Sequence, residues 1–208
     1  MPPTLPNIYL ITNRKLVHEK WAFFELIEEL LRAGIKMIQL REKDLTAAEL
    51  FPLAVKMRTL TEKYGCKLLI NDRIDIAQAV AADGVHLGHH SLPIKSARKI
   101  LGERFLIGVS THSVAEIHAA RQQGADFVTY GPVFYTPSKA DMGNPVGLKS
   151  LREACRKSPL PVYALGGINH NNCCDIIQTG THGVALISAL IAAKNPQVAC
   201  QQLMTHLS

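Results

Sequence analysis

Eight short apolar runs alternate with stretches of helical periodicity, which predicts an α/β protein built as one (β/α)8 TIM barrel over residues 1–208. The runs are continuously apolar, as is typical of parallel strands buried on both faces. A helical stretch followed by glycine and then an apolar run recurs at Gly34, Gly65, Gly124 and Gly180, which indicates repetition of one βα unit. A doubly wound open sheet is the alternative, but no GxGxxG motif follows the first strand.

Turn and capping residues bound the predicted elements. Thr46 and Glu49 form a capping box that predicts the start of the second helix, and Gly65 follows its end. The predicted strands are residues 8–12, 36–40, 68–70, 85–87, 105–109, 127–130, 162–165 and 184–187. The predicted helices are residues 21–33, 47–63, 93–101, 114–123, 148–156, 169–178 and a last one from 188 or 189 to near the C-terminus.

Composition narrows the function classes. The formal net charge is +6, but aromatic residues make up only 6% and no long basic run occurs, so we expect no nucleic-acid partner. A phosphate or pyrophosphate site would account for part of the basic excess. No apolar run reaches the roughly 18 residues of a membrane span, and the N-terminus lacks a signal-peptide pattern, so a cytoplasmic protein is expected. Five scattered cysteines without CxxC spacing favour free thiols in a reducing compartment.

Polar side chains follow nearly every predicted strand. In a barrel the C-terminal ends of the strands converge on one mouth, where the chemistry of such folds is located. We therefore expect the following residues to lie around that mouth: Gln39, Arg41, Lys43, Asn71, Asp72, His86, His89, His90, Ser91, Ser110, His112, Thr136, Ser138, Lys139, Gly166, Gly167 and Ser188.

Two groups at this mouth suit phosphates. Gly166-Gly167 and Ile187-Ser188 follow the last two strands, where backbone N–H groups can bind a phosphate, although a glycine pair also forms ordinary tight turns. Three cations from different strand ends, Arg41, Lys43 and Lys139, suit a second and more highly charged group such as pyrophosphate. Each of them alone would more often be a solvated surface charge.

The remaining candidates concern metals and proton transfer. Asp72 beside Asn71 suits Mg²⁺, which accepts one or two carboxylates with water and substrate phosphate, although the pair could also cap a helix. The histidines at 86, 89 and 90 have a metal-like spacing, but no cysteine or carboxylate accompanies them, which disfavours zinc. His112 could act as an acid or base near neutral pH, or could cap the next helix.

These motifs together resemble the thiamine phosphate synthase family, in order and over nearly the whole chain. They are Gln-Leu-Arg-Glu-Lys at 39–43, Asn-Asp-Arg at 71–73, His-Leu-Gly at 86–88, Gly-Val-Ser-Thr-His at 108–112, Gly-Pro-Val-Phe at 131–134 with Thr136 and Lys139, and Gly-Gly-Ile at 166–168. The resemblance implies a (β/α)8-barrel transferase of thiamine biosynthesis. Such an enzyme joins an aminopyrimidine methyl pyrophosphate to a thiazole phosphate and releases pyrophosphate, so its partners would be small phosphorylated molecules.

The resemblance also implies roles for single residues. Gln39 would contact the pyrimidine, and Asp72 would bind Mg²⁺. The pyrophosphate would be held by Arg41, Lys43, Asn71, Ser110 and Lys139, of which Lys43, Ser110 and Lys139 are the expected catalytic residues together with His112. Thr136 and Ser138 would lie by the thiazole, and its phosphate would be bound by Gly167, Ile187 and Ser188.

One position departs from the family pattern. A second Mg²⁺-binding aspartate usually follows His-Leu-Gly, whereas this chain has Ser91 at the expected place. A serine there is similar to TenI-type relatives, thiazole tautomerases that use a histidine after the fifth strand, which His112 matches. Synthases often have a histidine there too, so His112 does not discriminate between the two. A tautomerase, however, holds no pyrophosphate and leaves the cation cluster without a purpose. A catalytically silent thiazole phosphate-binding or regulatory protein is the third alternative. Residues 140–145 are a candidate closing loop, and a homo-oligomer is compatible with the sequence.

Overall fold

The computed structural model describes residues 5–136 and 144–207 of the chain. Its eight strands are all parallel and each pairs with the next, and the eighth pairs with the first, so that the sheet closes into a barrel. The predicted barrel is therefore confirmed. The strands are β1 Ile8–Ile11, β2 Met37–Leu40, β3 Lys67–Asn71, β4 Gly84–Leu87, β5 Leu106–Thr111, β6 Phe127–Tyr130, β7 Val162–Leu165 and β8 Gly183–Leu186.

Helices surround the sheet on its outer face. They are α1 Phe23–Arg32, α2 Ala47–Lys63, α3 Ile74–Ala79, α4 Ile94–Leu101, α5 Val114–Gln122, α6 Gly147–Lys157, α7 Cys173–Ile177, α8 Ser188–Ile191 and α9 Pro196–Leu207, with a 3-10 turn at Arg14–Leu16. The capping box predicted for α2 is present: Thr46 Oγ1 accepts from the backbone of Glu49, whose carboxylate accepts from Thr46 N at 2.8 Å. Within the described ranges, no helix is both long and apolar enough to cross a membrane.

Most predicted bounds differ from those observed by one or two residues, and four parts of the chain show the main differences. The fifth strand continues to Thr111, so Ser110 lies within it. The helix predicted at 169–178 is only α7, because Asn169 and Asn172 side chains accept backbone N–H groups in the preceding turn. The single C-terminal helix is two helices, since Pro196 has no N–H and starts α9 afresh. The apolar segment after Asp72, for which no helix was predicted, contains α3.

The barrel interior is packed mainly by aromatic and aliphatic side chains. Tyr9, Phe127 and Tyr163 lie with ring centroids 5.5–5.7 Å apart, in edge-to-face and tilted arrangements. Gly108 leaves room for this layer, because a Cβ there would lie 2.3 Å from Phe127 Cζ and 2.7 Å from His86 Nδ1. The remaining members of the inner cluster are Ile11, Met37, Leu69 and Ala185. A much larger apolar layer lies between the outer face of the sheet and the helices. The filled interior leaves the polar groups to gather toward the strand C-terminal ends.

Candidate active site

A chain of four hydrogen-bonded side chains crosses the barrel interior. Gln39 Nε2 donates to the Tyr9 hydroxyl at 2.8 Å, and that hydroxyl lies 3.4 Å from His86 Nδ1. His86 Nε2 lies 3.0 Å from Ser110 Oγ. Gln39 and His86 are 1% and 4% exposed, and Tyr9 is fully buried. The predicted residues Gln39, His86 and Ser110 are therefore brought together, and Tyr9 is a member that sequence reasoning missed.

Burial keeps two members of this chain neutral. Desolvation lowers the pKa of His86 to about 3, and the nearby charge of Arg41 acts in the same direction against the opposing effect of Asp72. Desolvation likewise raises the pKa of Tyr9 well above its ordinary value. At neutral pH both groups therefore act through hydrogen bonds rather than through charge.

Asp72 forms an acidic corner at the end of β3. It has a left-handed backbone, with φ of 61°, and its N–H donates to His86 O at 3.0 Å. Asn71 Nδ2 donates to one carboxylate oxygen at 2.9 Å, and the Ser91 hydroxyl donates to the other. Ser91 Oγ also accepts from Gly88 N at 2.5 Å. Ser91 thus lies against the carboxylate it was predicted to accompany.

Arg41 brings a cation to this corner. Its side chain is partly buried, and desolvation lowers the pKa of the guanidinium in spite of the fields of Glu42 and Asp72. With the residues that the structure describes, it makes no ion pair within 4.0 Å. Lys43, two residues on, is exposed. Arg41 is therefore a desolvated cation without a close carboxylate in the described structure.

Glu42, between the two cations, anchors their loop to the end of β1. Its carboxylate accepts from Thr12 Oγ1 at 2.6 Å and from the backbone and guanidinium of Arg14 at 3.0–3.2 Å. Thr12 Oγ1 in turn accepts from Arg41 N at 2.9 Å. Glu42 is 5% exposed. Sequence reasoning did not single out Glu42, although a buried acid requires partners of this kind.

His112 lies beyond β5 with its ring exposed. Its Nδ1 is 2.6 Å from Gly131 O, and since a carbonyl only accepts, this nitrogen carries a proton; in the neutral ring Nε2 is then the acceptor. The alternative role, helix capping by the His112 side chain, is wrong: the N-cap of α5 is Ser113, whose hydroxyl accepts from Glu116 N. His112 therefore keeps a ring nitrogen for proton transfer.

The glycine pair has a packing requirement of its own. Gly166 and Gly167 have φ of 103° and 66°, and a Cβ on Gly167 would lie 2.7 Å from Phe134 Cβ. Ile187 is the N-cap of the four-residue α8, which begins at the exposed Ser188. Close approach to the loop after β6 thus explains the glycines, whatever they bind.

The other predicted site residues are placed as follows. Thr136 is partly buried, whereas Ser138, Lys139 and most of the predicted closing loop, residues 140–143, lie outside the described residues. His89 and His90 are exposed with ring centroids 5.2 Å apart, while His86 points inward. In the described ranges, no three His, Cys, Asp or Glu residues are close enough to share a metal ion.

The fold and this site define a class: a (β/α)8-barrel protein whose charged and polar side chains are collected at the C-terminal ends of its strands. Residues 8–190 match the family model described as thiamine monophosphate synthase, so the chain belongs to that family. It is 41% identical over 197 residues to a thiamine-phosphate synthase of Clostridium novyi, covering 95% of this chain and 96% of the relative. A thiamine-phosphate synthase of Methanobrevibacter smithii is 39% identical over 198 residues, covering 95% and 93%.

A solved structure shows the same relationship. The thiamine phosphate pyrophosphorylase of Pyrococcus furiosus superposes with a TM-score of 0.88 at 34% identity, covering 97% of this chain and 95% of that one. The predicted family is thus confirmed. Because the relatives are named as synthases, they support the main functional prediction, a synthase, rather than the tautomerase. The roles predicted for single residues remain predictions.

Proposed function

We propose that the protein is a thiamine phosphate synthase that transfers an aminopyrimidine methyl group from pyrophosphate to the nitrogen of a thiazole phosphate. The observation that carries this proposal is Arg41, a partly buried cation with no carboxylate within 4.0 Å in the described structure, at a rim that also carries Asp72. A desolvated cation of this kind is costly unless a bound anion uses it. Pyrophosphate, the leaving group of this reaction, supplies such an anion.

The chemistry asks for charge neutralisation and positioning. The bond between the methylene carbon and the pyrophosphate oxygen breaks, the pyrophosphate keeps the electron pair, and the thiazole nitrogen donates its lone pair to the carbon. Arg41, Lys43 and Lys139 would neutralise the departing group, and Asn71 and Ser110 would donate hydrogen bonds to it. No protein nucleophile is required. Gln39 would orient the pyrimidine.

The acidic corner fits Mg²⁺. Asp72, Asn71 and Ser91 offer only oxygen donors to a cation, and Mg²⁺ commonly uses one or two carboxylates together with water and substrate phosphate. A bound Mg²⁺ would supply further neutralisation of the pyrophosphate charge. With one carboxylate instead of two, we expect weaker metal binding than in a two-aspartate site.

The thiazole phosphate would occupy the opposite side of the mouth. Gly167, Ile187 and Ser188 would bind its phosphate, with Thr136 and Ser138 beside the ring. These assignments follow the family resemblance, and the exposed Ser188 and the positive φ angles of Gly166 and Gly167 are compatible with them. A cytoplasmic location and a homo-oligomeric state remain predictions.

One observation favours a second candidate, a thiazole tautomerase, and another is compatible with it. Ser91 replaces a metal-binding carboxylate, and the Gly131 carbonyl fixes the His112 ring so that Nε2 can take up a proton. This candidate gives no use to Arg41 and Lys43, so we rank it second.

One assay decides between these functions. Purified protein with both synthase substrates and Mg²⁺ should form thiamine phosphate and pyrophosphate in equal amounts, and Arg41→Ala should abolish most of this activity. His112→Ala serves as the matched test for the tautomerase. Formation of no thiamine phosphate, together with a carboxythiazole phosphate isomerisation that His112→Ala removes, would replace the synthase with the tautomerase.

A further inference from the structure

We propose that Tyr9 and His86 are positioning residues that direct the Ser110 hydroxyl proton toward the leaving pyrophosphate. The inference rests on the proposed function for the identity of the anion. It goes beyond that function because it concerns two residues that need not touch the pyrophosphate, and it predicts a specific arrangement of protons inside the barrel.

The direction of each hydrogen bond in the chain follows from Gln39. An amide nitrogen can only donate, so the Tyr9 hydroxyl accepts from Gln39 Nε2 at 2.8 Å. The Tyr9 proton must then go to another acceptor, and the acceptor within reach among the described residues is His86 Nδ1 at 3.4 Å. Tyr9 is fully buried, and a buried hydroxyl proton requires such a partner.

The tautomer of His86 then determines the direction of the hydrogen bond to Ser110. A neutral histidine carries one proton, and if Nδ1 accepts from Tyr9 the proton is on Nε2. His86 Nε2 then donates to Ser110 Oγ at 3.0 Å. The lone pair of Ser110 that faces the interior is thereby occupied, and its own proton is available to an acceptor at the mouth. A serine without this neighbour could turn its proton inward.

The hydrogen-bond chain ends in an acceptor on one side and a donor on the other, which matches the proposed substrate. Gln39 Oε1 is buried and has no hydrogen-bond partner in the described structure, so this end presents an acceptor. Ser110 presents a donor at the other end. An aminopyrimidine pyrophosphate carries an amino donor and phosphate acceptors. The reversed order, with the Gln39 amide flipped, would present a donor and an acceptor at the wrong ends.

The packing around the chain favours a single arrangement. The centroid of the Tyr9 ring lies 5.5 Å from that of Phe127 and 5.7 Å from that of Tyr163. Because Gly108 has no side chain, the centroids of His86 and Phe127 can lie 6.1 Å apart. Closely packed rings keep their hydroxyl and imidazole groups in place, which is the structural requirement for an oriented hydrogen-bond chain.

Tyr9→Phe tests the kinetic consequence. It keeps the ring packing and removes both hydrogen bonds of the hydroxyl. We expect kcat to fall roughly tenfold to a hundredfold, with KM for the thiazole phosphate unchanged, because the donor is needed as charge develops on the leaving group. Tyr163→Phe is the matched control: its hydroxyl donates to Pro6 O at the other end of the barrel, so kcat should stay within about twofold of wild type.

Nitrogen NMR of ¹⁵N-histidine-labelled protein tests the proton order directly. The His86 resonances, assigned by their loss in His86→Gln, should show the Nε2–H tautomer in wild type and lose this single-tautomer pattern in Tyr9→Phe. Gln offers an N–H close to the Nε2 position, so His86→Gln should retain more kcat than His86→Leu. A structural role alone would not distinguish these two variants in kcat when both remain folded by circular dichroism.

Separate readouts distinguish the two levels of the proposal. Suppose that the wild-type enzyme is active. If its His86 then carries the proton on Nδ1, or if Tyr9→Phe has the wild-type kcat, the proposed direction of the hydrogen bonds is overturned while the synthase function stands. If wild type forms no thiamine phosphate, titration with inorganic pyrophosphate decides. About tenfold weaker binding to Tyr9→Phe than to Tyr163→Phe supports the positioning role, and equal binding overturns it.

Discussion

The two ends of the barrel treat charge in opposite ways. At the N-terminal end, two aspartates that precede strands are each paired with an arginine. Asp83 accepts from Arg58 at 2.6 Å and from a backbone N–H of β3 at 2.8 Å. Asp126 accepts from Arg98 at 2.6 Å and from a backbone N–H of β5 at 2.7 Å. The same device thus recurs two βα units apart, and it ties a helix and two strands together.

At the C-terminal end, Glu42 is paired with Arg14, but within the described ranges Arg41 and Asp72 are not paired with an opposite charge. Arg41 makes no ion pair within 4.0 Å among the described residues, and Asp72 is hydrogen-bonded by neutral groups, Asn71 and Ser91. An aspartate paired with an arginine helps to hold the fold together, whereas a desolvated cation without a partner costs stability and can bind an anion. One end therefore maintains the barrel, and the other is the end at which the proposed chemistry would take place.

Replacing Arg41 should give the largest change in activity. We expect Arg41→Ala to lower kcat/KM for the pyrimidine substrate about 10²- to 10³-fold, because it removes charge stabilisation of the leaving group. Arg41→Lys should recover only part of this, since an ammonium lacks the planar fork. The free energy of unfolding, measured in urea, should stay within about 0.5 kcal/mol of wild type. A large loss of stability with unchanged kinetics would contradict the contrast between the two ends.

Replacing Arg98 should have the reverse effect. Its side chain is 12% exposed and donates to Asp126 and to the carbonyls of Gly102, Phe105 and Gly124. Arg98→Ala should lower the free energy of unfolding by about 3 kcal/mol, because it leaves these acceptors without their donor. The kcat/KM of the remaining folded protein should equal that of wild type. Urea unfolding followed by circular dichroism, with kinetics at low temperature, checks both expectations.

Local signals accounted for most of the fold. The bounds of α2, β6 and β7 agree with the predictions because a capping box, glycine turns and continuous apolar runs act within a few residues. The C-terminal helix was predicted without its interruption between Ile191 and Pro196, since its helical composition continues on both sides. Barrel closure followed from counting repeated units rather than from any single one.

The candidate site was predictable only in part. The strand ends pointed to Gln39, Arg41 and Asp72, but which residues meet across the barrel depends on the register of strands far apart in sequence. Tyr9 looked like an ordinary apolar strand residue, although its hydroxyl meets Gln39 and His86. A tyrosine inside a predicted barrel strand is the signal that could have indicated a buried polar network.

The buried imidazole should make stability depend on pH. The pKa of His86 is about 3 in the folded protein and near 6.5 when unfolded, so between these values only the unfolded chain takes up the proton. Stability is therefore complete above pH 6.5 and falls as the pH falls, by about 2 kcal/mol between pH 6.5 and 5. His86→Gln should remove this part of the pH dependence in urea unfolding. Parallel curves for the two proteins would show that the histidine titrates normally.

A smaller effect is expected from adding a second carboxylate beside Asp72. Ser91→Asp would place a second carboxylate beside Asp72, and we expect the Mg²⁺ concentration for half-maximal activity to fall roughly tenfold, because each added carboxylate strengthens a hard-cation site. Without Mg²⁺ the same variant should be less stable than wild type, since two carboxylates then repel each other and the Ser91 hydrogen bond to Asp72 is lost. Ser91→Asn is the control of similar size without the charge and should not show the Mg²⁺-dependent recovery of thermal stability. Equal Mg²⁺ dependence for Ser91→Asp, Ser91→Asn and wild type would show that the metal does not bind beside Asp72 and Ser91. Arg41, and not a metal at this corner, would then neutralise the pyrophosphate here.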